Sequence, residues 1–266
     1  MKALIVAVLA ACCCVACATR VDPKLIAAPG PAITFQSNAL RPANGEALIL
    51  ADTLVPGDIL LTAGNGLTSA GIRLITMAPV SHAALYLGDG DVAEAVGSGV
   101  RVRKIGELLD HEAVVVAFRH PAFQPEQGVL VRDFADRNVG SRYDYVGVML
   151  HAPFSLQRRV CELPLLPTPV REGCLRGIAT IQLGNGNDER FFCSQFVLEA
   201  YKHIGLPMTD ADPRWISPAD ILHMREGDVP SLQVNQTLVY LGHLKFRPET
   251  DRSARPTMLG TAQQGF

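Results

Sequence analysis

A cysteine, a histidine and a glutamate in this chain have the types and settings that nucleophilic acyl transfer requires. Cys193 sits in the run Phe191-Phe192-Cys193-Ser194-Gln195-Phe196-Val197-Leu198-Glu199-Ala200-Tyr201. Val197, Tyr201 and Ile204 fall on one stripe at helical spacing, with Leu198 beside it, and Gly205 followed by Pro207 is a stop signal. The pattern predicts an amphipathic helix that begins at the thiol. A helix N-terminus carries partial positive charge, which lowers a thiol's pKa and raises its thiolate fraction. The same place also suits a small buried hydrophobe, so a nucleophile needs a partner close by.

Of the seven histidines, His82 has the most telling context. Ser81-His82-Ala83-Ala84-Leu85-Tyr86-Leu87 is strand-like, Gly88-Asp89-Gly90 supplies a turn, and Asp91-Val92-Ala93-Glu94-Ala95-Val96 returns as a second strand. His82, Ala84 and Tyr86 share one face by the period of two. Small alanines beside the ring leave room for another group. His203 falls late in the Cys193 helix, where a cation complements the helix dipole. His111, His120, His151, His223 and His243 read as structural or solvated.

Glu94 is the candidate orienting group, because a base histidine needs an acceptor on its other ring nitrogen. A carboxylate on an otherwise apolar strand also needs a partner to offset its desolvation. Whether it serves His82 depends on the hairpin. A two- or four-residue loop would turn Glu94 to the opposite face. A three-residue loop, Gly88-Asp89-Gly90, pairs Leu87 with Asp91 and His82 with Val96. Glu94 then shares the His82 face, at a diagonal Cα distance of roughly 7–8 Å. A solvated Glu on a strand edge is the competing possibility.

The elements that must position these groups are legible in outline. Gly57 to Thr62, Val100 to Ile105, Ala113 to Phe118 and Leu238 to Phe246 read as strands, with Val116 and Phe118 on one side of theirs. Gly66 to Met77 reads as a short helix with Leu67, Ile72 and Ile75 as core candidates. Glu126 to Asn138 has helical periodicity through Val129, Leu130, Asp133, Phe134 and Arg137. Phe154 to Arg190 is dense in Pro and Gly and reads as an insertion or long loop near the site. Ser217-Pro218-Ala219-Asp220 opens a short helix, with Ser as cap and Pro at the first position.

The chain of 266 residues is 48% hydrophobic and 19% charged, which suits one globular domain with attached ends. A net charge of −2 and 6% aromatics give no footprint for nucleic acid. Beyond the N-terminal segment, where Cys14-Val15-Ala16-Cys17 belongs to the signal region, no CxxC occurs, and no HExxH occurs, so neither metal nor another cofactor is expected. Met1-Lys2, an apolar run and then Leu9-Ala10-Ala11-Cys12 resemble a lipoprotein signal with its lipidation cysteine. Cys17 is a second candidate, and an ordinary secretory signal is the alternative. The boundaries follow: 1–11 signal, 12–46 lipid-anchored tether rich in Pro, Ala and Asn, 47–247 catalytic domain, 248–266 disordered tail. No Asp follows Cys12, so an outer-membrane address facing the periplasm is expected. In such an oxidising compartment Cys161 and Cys174 can pair, which leaves Cys193 as the odd thiol.

Val55-Pro56-Gly57-Asp58-Ile59-Leu60-Leu61, followed by the His82 hairpin through Gly97, resembles the barrel half of NlpC-type papain-like hydrolases. Their cysteine normally precedes that half. Here Phe192 to Tyr201 follows it, which is similar to the circularly permuted branch that includes the YiiX- and YaeF-like lipoproteins. Gly140-Ser141-Arg142-Tyr143-Asp144 resembles the family's Gly-x-x-Tyr element. The resemblance spans about residues 50–225. It implies an α+β, circularly permuted papain-like fold, with a small antiparallel sheet or barrel against the nucleophile's helix. It further implies Cys193 as nucleophile, His82 as base and Glu94 as third member, where non-permuted relatives use His, Asn or Gln. Tyr143 would line the cleft or serve as a core tyrosine. The expected activity is cleavage of a peptide or cell-wall peptide amide through a thioester. A lipid-directed acyltransferase or thioesterase, or a non-catalytic binding lipoprotein, is the alternative.

Overall fold

The structure, a computed structural model, describes residues 18–21, 33–40, 47–183 and 190–246. Cys12, Cys17, the signal segment and the tail 248–266 lie outside the described residues. Two short strands, β1 (Thr19–Val21) and β2 (Ile33–Phe35), pair with each other. After them come β3 (Ile59–Gly64), α1 (Leu67–Thr76), β4 (His82–Gly88), β5 (Asp91–Val96), β6 (Gly99–Lys104) and α2 (Ile105–His111). The chain continues through β7 (Glu112–Arg119), α3 (Gln127–Asn138), β8 (Arg142–Tyr143), α4 (Tyr145–Cys161) and α5 (Thr168–Leu183). It closes with β9 (Arg190–Phe191), α6 (Cys193–His203), α7 (Pro218–His223) and β10 (Val239–Phe246). The fold is mixed α and β. Six strands form one antiparallel sheet in the order β10-β7-β3-β4-β5-β6.

Strand alternation gives this sheet two apolar faces. Ile59, Leu61, Ala83, Leu85, Ala93, Ala95, Val116 and Phe118 point to one side, against Phe196, Val197 and Tyr201 of α6. Leu60, Ala84, Tyr86, Val92, Val115 and Ala117 point to the other, against Leu54 and Leu108. The α6 helix lies across β4 and β5 and is buried almost all round, with Val197, Leu198, Tyr201 and Ile204 all inside. Gly205, at φ 77°, ends it in the left-handed conformation, and Leu206 N–H closes back on Tyr201 C=O. At α7 a reciprocal cap forms: Ser217 Oγ accepts from Asp220 N–H, and Asp220 accepts from Ser217 N–H.

The hairpin reaches the expected register by a different route. Leu85 lies opposite Ala93 and Tyr86 opposite Val92, but the turn holds only Asp89 and Gly90. Both take positive φ, 53° and 74°, as a tight two-residue hairpin turn demands. The extra residue sits in β4 instead, as an irregularity between Tyr86 and Gly88 that resets the parity. A bulge therefore does what the three-residue loop was expected to do.

Other expectations need correction. The expected loop Phe154 to Arg190 is mostly helical through Leu183, with residues 184–189 outside the described residues: α4 and α5 pack against each other and are bridged by Cys161–Cys174, with a Cα separation of 5.6 Å. Pro153 is accommodated inside α4, while Pro164 and Pro167 fall at the corner between the helices. In α1, Leu67 is 92% exposed, and Ile72 and Ile75 are only half-buried because those two line a cavity rather than the core. In α3 the buried residues are Gly128, Val131 and Ala135, not Val129 or Leu130. The described part of the presumed tether docks on the domain. Arg171 donates to Thr19 C=O, Arg225 to Ser37 C=O, and Gln36 to Val229 C=O. Those buried guanidiniums need acceptors, and the N-terminal backbone supplies them.

Candidate active site

Cys193 is the first residue of α6 and the free cysteine among the described residues. The helix start abuts β4, where the backbone N–H groups of Ala83 and Ser194 both point at the sulfur. His82, the first residue of β4, is hydrogen-bonded to the thiol. Its Nε2 lies 2.8 Å from Glu94 Oε2, which leaves Nδ1 for the sulfur. The diagonal placement of Glu94 across the bulged hairpin makes this line of three groups possible.

Glu94 is fully buried and held by more than the histidine. Arg101 Nε donates to Oε1 at 2.9 Å and Arg103 Nη2 to Oε2 at 3.0 Å. Arg101 stands directly opposite Glu94 in the β5–β6 ladder, and Arg103 lies two residues on along the same face. Sequence reasoning missed both arginines. The available signal was the alternation Val100-Arg101-Val102-Arg103, two cations on one face of the strand after Glu94.

The electrostatics form one connected set. Burial pushes the Cys193 thiol up, but the hydrogen bond and charge of His82, with the two backbone donors, outweigh it and hold the thiol below its ordinary value. Burial pulls His82 down, while Cys193 and then Glu94 raise it to about 10. Burial raises Glu94, yet His82, Arg103 and Arg101 hold it at about 2. At neutral pH such a set favours thiolate, imidazolium and carboxylate in a row.

A cavity of about 470 Å³ opens over the sulfur and the ring. Ile72 and Ile75 of α1, Val96, Phe192 and Pro218 provide its apolar wall, and Tyr143, Ser81 and Ser155 add hydroxyls. Tyr143 sits on β8 beside Phe191 of β9, one strand-end from the helix start. Burial, then the charge of Cys193, raises its pKa above the ordinary phenol range, so its hydroxyl stays protonated. His82 is the one histidine that lines the cavity among the described residues. His203 stacks near Phe134 at the end of α6, and His223 pairs with Asp228. Among the described residues no group of three or more His, Cys, Asp or Glu is placed to hold a metal ion.

Comparison with known proteins gives three findings. No family model matches the chain. The chain is 38% identical over 231 residues to the "Probable lipoprotein peptidase YaeF" of Escherichia coli strain K12, covering 86% of this chain and 83% of that protein. The crystal structure of the metalloprotein yiiX from Escherichia coli O157:H7 matches 71% of this chain and 96% of that chain, with a TM-score of 0.41 and 17% identity.

Proposed function

Since this chain belongs to the family of the lipoprotein YaeF, whose name describes a peptidase, we propose that it is a cysteine hydrolase that cleaves an amide through a thioester. The observation that carries this is the line Cys193–His82–Glu94 under an open cavity. In the reaction, Cys193 Sγ attacks the substrate carbonyl carbon. The oxyanion is met by the Cys193 N–H at the start of α6, with Tyr143 Oη available from the cavity wall. His82 gives its Nδ1 proton to the leaving amine as the C–N bond breaks. The neutral ring then takes a proton from water, which attacks the thioester, and the acid leaves as the thiol is restored. Glu94 touches no substrate; it positions the ring and steadies its charge, and Arg101 and Arg103 hold Glu94 in turn.

The finer family placement is part of the proposal: a circularly permuted papain-like fold of the NlpC type, supported by the His82 hairpin preceding the Cys193 helix. The peptide or cell-wall peptide substrate, the lipid anchor at Cys12 or Cys17, and a periplasm-facing outer-membrane position belong to it as well. A second reading has one specific support. The wall formed by Ile72, Ile75, Val96 and Phe192 suits an aliphatic acyl chain, as in a lipid-directed thioesterase or acyltransferase.

The test is a panel of cell-wall peptides, acyl thioesters and phospholipids offered to the purified protein and to Cys193→Ala, with products identified by mass. Amide cleavage that disappears in the folded variant supports the hydrolase. Turnover of acyl esters alone shifts the assignment to the second reading. Amide cleavage that survives in Cys193→Ala removes the nucleophile.

A further inference from the structure

We infer that the corner between α4 and α5 is the face on which this protein sits on its own membrane, partly immersed beside its lipid anchor. The inference rests on the anchor proposed above. Leu156 and Val160 of α4, Leu163 and Leu165 of the corner and Val170 of α5 are each between 45% and 66% exposed. Leu156 and Val160 follow helical spacing on the outer stripe of α4, away from Phe154, Ser155 and Arg158, which point inward, and Leu163 lies just past the helix end. From Tyr145 to Gly173, no exposed residue among those described carries a charge. An uncharged apolar surface of this kind is uncommon on a soluble monomer.

The charges this segment does contain are folded away from that surface. Arg158 is buried between Asp220 and Glu162, with Nη1 at 2.8 Å from Asp220 Oδ2. Arg159 turns to Ile75 C=O at 2.9 Å. Arg171 is buried, donating to the carbonyls of Ser231, Pro230 and Thr19. A docking protein would meet a polar rim, whereas hydrocarbon tolerates no such charges; none is exposed among the described residues between Tyr145 and Gly173, and the exposed guanidiniums of Arg20, beside Thr19, and Arg176 of α5 lie outside that stretch.

The chain's own N-terminus identifies the bilayer as occupant. Leu165 N–H donates to Thr19 Oγ1 at 2.7 Å, so the described N-terminal end is pinned to this corner. Cys12 lies seven positions before Thr19, and Cys17 two. Even fully extended, seven residues span at most about 25 Å. A lipid on either cysteine therefore holds the bilayer surface within reach of Leu165 and its neighbours. Aliphatic side chains at that height enter the headgroup–acyl boundary to a depth of about 5–10 Å. One consequence is a fixed pose: α1, which walls the cavity, packs against α4, so the cleft is carried close to the membrane plane.

The test uses the full chain, purified with its lipid and reconstituted into phosphatidylethanolamine–phosphatidylglycerol vesicles with or without brominated acyl chains. In a Trp215→Phe background, Leu163→Trp reports on the face and Val129→Trp, on exposed α3, serves as control. Leu165→Trp replaces the first probe should that variant misfold. The expected result is that brominated vesicles quench the indole emission of the Leu163→Trp variant and leave that of the Val129→Trp variant intact. Unquenched emission from Leu163→Trp, on protein that floats with the vesicles, overturns the seating while the anchor stands. Equal quenching of both probes overturns it too. A blue shift independent of bromine, accompanied by a dimer mass, assigns the face to a second copy instead. Protein that fails to float overturns the anchor and the seating together.

Discussion

Replacing Glu94 by Gln removes one charge from the centre of the site and changes little in shape. Glu94 now accepts from three donors, His82 Nε2, Arg101 Nε and Arg103 Nη2. A Gln side chain has one acceptor oxygen and an NH2 group, so at least one donor would face another donor. Breaking a buried ion pair costs about 3–5 kcal/mol, and the lower end applies because the Arg101 side chain is half exposed and can turn to water. The charge-assisted bond to the imidazolium contributes about 1.5–3 kcal/mol, and 1.36 kcal/mol corresponds to one pH unit. The His82 midpoint should therefore fall by about one to two pH units in the variant. The sign follows from the direction of each shift. His82 is raised from 6.5 to about 10, so its stabilising contribution is complete below pH 6.5 and is lost as pH rises through about 10. Glu94 is lowered from 4.5 to about 2, so its contribution is present above pH 4.5 and is lost as pH falls through about 2. In the variant the loss on the alkaline side should begin earlier. The Cys193 thiolate, supported by the same imidazolium, should form at higher pH. Ring titration by NMR and iodoacetamide alkylation of Cys193, followed by peptide mass mapping, read the two ends separately. An unmoved His82 midpoint together with an unmoved alkylation profile, in a variant shown to be folded by circular dichroism, would refute the coupling of Glu94 to the thiol.

Three further outcomes are expected. Arg158→Ala leaves Asp220 and Glu162 buried without their cation, and should cost about 3–5 kcal/mol in urea unfolding; a loss under about 1 kcal/mol would show that water replaces the guanidinium. Reducing Cys161–Cys174, or changing Cys174→Ser, should lower stability by about 2–4 kcal/mol and leave Cys193 alkylation at neutral pH unchanged, which separates the structural bridge from the proposed nucleophile. Gly57→Ala places a Cβ at φ 90° and against the Phe123 ring, next to the carbonyl that accepts from Tyr201 Oη. It should destabilise by at least about 1–2 kcal/mol, and wild-type melting would show that the loop relaxes freely.

Local periodicity made much of the site legible. The stripe Val197, Tyr201, Ile204 and the stop at Gly205 located the helix that begins at Cys193, because apolar spacing and a left-handed cap are properties of neighbouring residues, whereas its burial almost all round was set by packing. The capped start at Ser217 and the parity that brings Glu94 to the His82 face were readable for the same reason. Other features depended on contacts that no local pattern encodes. The bulge in β4, rather than the turn, sets the hairpin parity, since a two-residue turn with one extra strand residue gives the same register as a three-residue loop. The half-burial of Ile72 and Ile75 follows from the cavity they border, while Leu67 faces out at 92% exposure, and an apolar stripe is blind to what packs opposite. Phe154 to Arg190 looked loop-like by composition, yet two helices formed there. Their apolar and arginine faces are satisfied against each other, against α7 and against the N-terminal strands. By itself the sequence determined which residue types could do chemistry, and on which elements. Only the packing of α6 across β4 and β5, and the β5–β6 register that delivers Arg101 and Arg103, decided that thiol, imidazole and carboxylate meet. Burial there removes the water that would otherwise screen them, so their charges hold one another in place.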